Sequence, residues 1–154
     1  MALTTYALLK TTIANYLNRT DLTSYLGDFI TLTESRLNRE LRVREMVNTD
    51  TTTTTVAGTQ SYSLPSGFLE ASAVIYQSNP YRTLRFMANG DFYRQYNVTQ
   101  TSGLPTFFTI VGENILLGVA PDSAQTLQID FYKTITALSE SNTTNTILTN
   151  YPEL

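Results

Sequence analysis

Four of the ten basic side chains in this 154-residue sequence, Arg36, Arg39, Arg42 and Arg44, fall within the segment "FITLTESRLNRELRVREM" at residues 29–46. Guanidinium groups at this density suit three kinds of chemistry: gripping phosphates, stabilising an anion during a reaction, or pairing with carboxylates across a protein surface. Acids interleave with them. Glu40 lies four residues from both Arg36 and Arg44, and Glu45 lies three from Arg42, so the local charge is diluted. The whole chain is acidic too, with a formal charge of −3 and an isoelectric point near 4.8. A phosphate-binding surface displaces counterions with a net basic patch, and this balance opposes one.

Catalysis has little to work with. The sequence contains no cysteine and no histidine, which removes thiol chemistry, disulfides, Ser-His-Asp relays and zinc sites of the common ligand types. Carboxylates alone can hold Mg²⁺, but Asp21, Asp28, Glu34, Glu40, Asp50, Glu70, Asp91, Glu113, Asp122 and Asp130 are scattered along the chain. No calcium-binding loop, phosphate loop or dinucleotide fingerprint is present. No catalytic residue, metal or cofactor is therefore assigned, and the protein is expected not to be an enzyme. No apolar run approaches the ~20 residues that cross a bilayer, and the start "MALTTYALLKTT" lacks a basic stretch followed by a cleavable apolar one. The expectation is a soluble, unsecreted protein with no membrane partner.

The elements that position the arginines follow from apolar spacing. Leu9, Ile13 and Tyr16/Leu17, after the cap candidates Thr4 and Thr5, predict an amphipathic helix over residues 5–17. "NRTDL" breaks it, and Leu26, Phe29/Ile30, Thr33, Leu37 and Leu41 predict a second helix packed on the first as a hairpin. At about 100° per residue, Leu26, Ile30, Leu37 and Leu41 share one narrow sector. Arg39 and Arg42 point away from that sector and Arg36 flanks it, whereas Arg44 would return to it, so the helix should end or bend before Arg44. Arg36, Arg39, Arg42 and Arg44 with Glu40 are thus candidate interface residues, an Arg/Glu surface that meets a copy of itself or a partner. The plain alternative is a solvated helix face.

Character changes near residue 47. From there to about residue 138, β-branched and aromatic runs are cut by Gly, Pro and Asn at short intervals, the pattern of an antiparallel sheet or sandwich. "TTTTTV" reads as a threonine edge strand, and "SYSLPSGF", "LEASAVIYQ" and "RTLRF" read as further strands. "NGDFYRQY" reads as a short helix capped by Asn89, and "NVTQTSGLP" as irregular chain. "TFFTIVGENILLGVAP" is a hairpin turning at Gly112-Glu113-Asn114, to which "TLQIDFYKTI" adds a strand. Tyr62, Tyr76, Tyr81, Tyr93, Tyr96 and Tyr132 could form a platform for glycans or bases, although such tyrosines more often sit half-buried in cores and interfaces. After a polar loop, Ile147, Leu148, Tyr151 and Leu154 begin a helical stripe, with Pro152 where a first turn tolerates it.

The fold class is thus α+β. It comprises a helical hairpin over 1–46, a β-rich insertion over 47–138, and a polar loop and C-terminal helix start over 139–154 that packs back on the helical part. In order and spacing, "LLKTTIANYLNRTDLTSYLGDFITLTESRLNRELRVREM", "YSLPSGFLEASAV", "GLPTFFTIVGENILLGVAP", "LQIDFYKTITALSES" and "ILTNYPEL" together resemble the head-to-tail adaptor proteins of tailed bacteriophages, of the podovirus type. The resemblance covers nearly the whole chain. It implies a helical bundle interrupted by a β-rich insertion. It also implies a structural protein of the virion, made in the host cytoplasm, that forms a ring, typically a dodecamer, between the portal protein and the tail nozzle or tube and lines the DNA channel. DNA would be passing content of that channel, and the family supplies no catalytic residue. Relatives continue past the "YPEL" position through further helices and an arm that reaches the portal. The alternative from another class is a β-rich binding module of a phage tail or receptor-binding protein.

Overall fold

The computed structural model describes residues 4–19, 21–96 and 102–151. Its helices are α1 (Tyr6–Leu17), α2 (Leu26–Glu40), α3 (Asn89–Gln95) and α4 (Thr146–Asn150). Its strands are β1 (Val47–Asp50), β2 (Ser61–Ser63), β3 (Phe68–Tyr76), β4 (Arg82–Phe86), β5 (Ser102–Gly103), β6 (Phe107–Val111), β7 (Asn114–Leu117), β8 (Ala120–Pro121) and β9 (Leu127–Lys133). The architecture is mixed α+β. Contacts divide the chain into two units: Met1–Met46 with Thr134–Leu154, which holds α1, α2 and α4, and Val47–Lys133, which holds all the strands and α3.

In the helical unit, the Thr5 hydroxyl accepts a hydrogen bond from Leu8 N at 3.3 Å and so caps α1. Asn18 closes that helix in the left-handed conformation, at φ 49°. The buried cluster of this unit is Tyr6, Ile30, Leu138 and Leu148, with Leu9 and Ile13 packed against it. The expected stripe does not run the length of α1, because Tyr16 is 89% exposed and Leu17 is 44% exposed. Burial begins a turn earlier instead, at Tyr6, whose ring lies 4.5 Å from the Lys10 ammonium. On α2 the inner positions are Leu26, Ile30 and Glu34, with Leu37 half-buried, while Thr33 is exposed. Asn145 caps α4, its Oδ1 accepting from Leu148 N at 2.9 Å. The C-terminal helix therefore runs ahead of the expected Pro152 position, since an Asn side chain before "TILTN" supplies the start. Pro152 and Leu154 lie outside the described residues.

The β unit is built on a seven-stranded sheet in the order β1-β9-β3-β4-β6-β7-β2, and a two-stranded β5-β8 pair accompanies it. Alternation in β9 buries Leu127, Ile129 and Phe131 on one side, and register sets Val74 opposite Ile129 and Tyr76 opposite Leu127. These residues join Tyr62, Leu84, Phe108, Ile115 and Leu117 in one apolar core. The β6–β7 hairpin turns at Gly112, which takes φ 61° at the first of two central positions because Val111 pairs with Asn114. A two-residue hairpin loop of this hand needs positive φ there, which glycine adopts without steric cost.

Three local expectations are corrected. The threonine run is not a strand: only Thr54 makes a bridge, to Thr126, and Thr55 turns inward with no exposed surface. Asp50 starts this departure by accepting from Thr52 N at 3.0 Å, Thr52 Oγ1 at 2.7 Å and Thr53 Oγ1 at 3.1 Å, a side-chain turn that competes with ladder bonding. Asn89 does not cap α3, for Ala88 holds the cap position and the Asn89 side chain instead accepts from the Thr109 hydroxyl. The main sheet is not wholly antiparallel either, since β4 and β6 pair in parallel, with α3 in the crossover that such pairing requires. Most of "NVTQTSGLP", at residues 97–101, lies outside the described residues.

Candidate docking site

The five residues singled out in the sequence occupy three environments. Arg36 and Arg39 stand exposed on the outer side of α2. Arg36 Nε donates to the two carboxylate oxygens of Glu40 at 3.1 and 3.2 Å, an i,i+4 pair with both side chains mostly in solvent, worth about 0.3–0.5 kcal/mol. Arg42 does not lie on that face. The helix ends at Glu40, and Arg42 folds back so that its Nη1 donates to Asn38 O at 3.0 Å and Leu41 O at 2.7 Å. It thereby satisfies carbonyls that the helix end leaves open. Arg44 is exposed in the short turn Arg44–Met46, and Glu45 accepts from the Tyr151 hydroxyl at 3.0 Å.

Sequence reasoning passed over Glu34, which is only 8% exposed and sits at the centre of the helical unit. Its Oε1 accepts from Leu138 N at 3.0 Å and from Asn145 Nδ2 at 3.0 Å, and burial raises its pKa against the lowering effect of those two bonds. Its Oε2 is buried without a hydrogen-bond partner among the described residues. Asn38, one turn along α2, accepts from Ile135 N at 2.8 Å, so two polar side chains of α2 tether the returning segment at residues 134–138. The signal was present in the spacing: Glu34 is four residues from Ile30 and three from Leu37, inside the apolar sector.

Beside Glu34 runs an open groove of about 310 Å³, walled by Leu9 and Ile13 of α1, Ile30 and Leu37 of α2, and Leu138 and Leu148. Phe29 lines it too while staying 50% exposed. The groove is therefore largely apolar with one carboxylate set into it, a lining of the kind found in the cores of protein–protein interfaces. Of the tyrosines singled out in the sequence, Tyr62 and Tyr76 belong to the β-unit core, while Tyr81 and Tyr93 are 70% and 54% exposed. Among the described residues no group of three or more Asp and Glu could hold a metal ion, and no helix is long and apolar enough to cross a membrane.

An α+β chain whose helical unit carries an open apolar groove has a surface of the kind that protein-docking modules use. A profile of the SU10 adaptor protein family matches residues 4–154, and the chain belongs to that family, a group of phage adaptor proteins. No curated protein matches it.

Proposed function

We propose that this protein is a structural head-to-tail adaptor of a bacteriophage virion, forming a ring between portal and tail whose inner wall borders the path of the DNA. The family match over residues 4–154 carries this reading. Two observations support it. The helical unit keeps an open apolar groove, which a lone module would close and an assembling one would fill. The formal charge of −3 suits a channel wall that DNA passes without adhering. In this reading α1, α2 and α4 belong to a helical bundle, the β unit is its insertion, and the partners are the portal protein, a tail nozzle or tube protein, and further copies of the chain. Each copy would bury one surface against a different surface of the next, a contact that closes into a ring, of twelve copies in this reading, when the rotation fits. The work is geometric and needs no catalysis.

The test mixes the full chain with the purified portal of its phage and images the product by electron microscopy. Ring-shaped density stacked on the portal is the expected result. A chain that ignores the portal and forms a trimer binding glycans would overturn this reading in favour of a tail or receptor-binding module.

A further inference from the structure

Helix α2 has a second stripe that its own fold does not use. Tyr25, just before the helix, and then Phe29, Leu32, Arg36 and Arg39 recur at steps of four, three, four and three, so they share one side. All are exposed, with Tyr25 at 55% and Leu32 at 67%. Phe29, at the edge of this stripe, also lines the groove, whereas Leu32, Arg36 and Arg39 are presented to solvent on the side away from Leu26, Ile30 and Glu34. The groove offers the complement: apolar walls, and a buried carboxylate with Oε2 unpartnered.

Resting on the adaptor reading above, we infer that the groove beside Glu34 is the acceptor for the Leu32–Arg36–Arg39 stripe of a second copy of this chain. Leu32 would supply the apolar contact and Arg39 the guanidinium for Glu34 Oε2. Arg36 already has Glu40 as its partner, which leaves Arg39 as the better donor. The carboxylate is already largely withdrawn from water at the groove wall, so side chains must shift slightly to admit a guanidinium, which in that setting is the strongest available partner. The contact joins two different surfaces, as ring closure requires. Helix spacing in the sequence pointed to an Arg/Glu surface of Arg36, Arg39, Arg42, Arg44 and Glu40. The structure instead assigns the acceptor role to Glu34.

The chain has no cysteine, so Thr33→Cys, at an exposed position lining the groove, creates a single labelling site for a short photo-crosslinker. The labelled chain is irradiated alone at high concentration and after assembly on the portal, and the two-copy product is mapped by mass spectrometry. The expected crosslink runs from position 33 of one copy to the Leu32–Arg39 stripe of another. Its yield should fall about tenfold or more with Glu34→Gln or Arg39→Gln, because each removes one partner of a desolvated charge pair, and Arg39→Lys should restore part of it. Unfolding transitions recorded for each variant separate a lost contact from a lost fold. Rings that form with crosslinks mapping elsewhere, to the portal, or indifferent to Glu34→Gln would overturn this inference and leave the adaptor reading standing. Failure of any assembly on the portal would overturn both.

Discussion

Asn145 Nδ2 donates to Glu34 Oε1 at 3.0 Å across 111 positions of sequence. The same Asn145 donates to Thr136 O at 3.1 Å and accepts, through Oδ1, from Leu148 N at 2.9 Å. One side chain therefore caps α4, holds the strap before it, and fixes the carboxylate of α2. The groove exists because this knot sets Leu138 and Leu148 opposite Leu9 and Ile13.

The carboxylate at the centre of the knot makes stability depend on pH. Burial holds the folded pKa of Glu34 above the ordinary glutamate value of 4.5. The native state thus keeps a proton that the unfolded chain has already lost, so this group's contribution is fully present below that ordinary value. It is lost as pH rises through the window up to the raised pKa. Glu34→Gln keeps an acceptor for Leu138 N and Asn145 while abolishing the charge. Denaturant unfolding across that window should show a falling stability for the natural chain and a flatter profile for the variant, which becomes the more stable by about 1 kcal/mol at neutral pH. Equal slopes for the two proteins would contradict the role given to this carboxylate.

Asn145→Ala removes the cap of α4 and one bond to Glu34 at once. Loss of an N-cap costs about 1 kcal/mol, and the bond lost to Glu34, whose Oε1 keeps only Leu138 N, adds about as much again. The helical unit should lose about 2 kcal/mol. Hydrogen exchange at the Leu148 and Leu138 amides should accelerate together, since the knot orders both. Exchange that speeds up at Leu148 alone would mean that the cap is local and the tether to Glu34 idle.

How far these features were legible in the sequence depends on where their cause lies. Strand β9 and the β6–β7 hairpin could be read, because "LQIDFYK" alternates and Gly112 supplies the turn within a few residues. The start of α1 at Thr5 was legible for the same reason, a local cap. For Glu34 the spacing placed it inside the apolar sector, but its role as an acceptor was not legible, because that is decided by a strap 104 residues downstream whose Leu138 amide it receives. Arg42 was misplaced since helical geometry was extended two residues past Glu40, where the chain had already turned to an extended Leu41. Family order gave the adaptor class, but the groove could be found only by seeing which apolar faces meet.

The threonine run makes a third test. Thr55 has no exposed surface; its hydroxyl accepts from Gln125 N at 2.9 Å and lies 3.1 Å from Ser123 O and Gln125 O as donor. Thr55→Val keeps the shape and deletes those bonds, leaving the half-buried Gln125 N without its acceptor while Gln125 O keeps its bond from Thr55 N. A loss of about 1–3 kcal/mol is expected, read as a lower midpoint for the β unit. Thr52→Val, at an exposed site in the same run, should cost clearly less, because water can replace its bond to Asp50. Equal losses at both positions would restore the edge-strand view of this segment.

Tyr62 closes the neighbouring loop in a comparable way. Its hydroxyl lies 2.7 Å from Thr59 O as donor and accepts from Val56 N at 3.1 Å, while its ring joins the β-unit core. Tyr62→Phe keeps the ring and drops the loop bonds, and because Val56 to Thr59 are exposed, water takes over part of the lost bonding. The expected cost is about 1 kcal/mol. Burial also raises the phenol pKa above its ordinary 10.0. The unfolded chain ionises first, so this tyrosine's contribution is lost as pH climbs past that value. Alkaline unfolding should accordingly be steeper for the natural protein than for Tyr62→Phe. If the two profiles run parallel up to strongly alkaline pH, the hydroxyl is hydrated in the native state and the loop is held by its backbone alone.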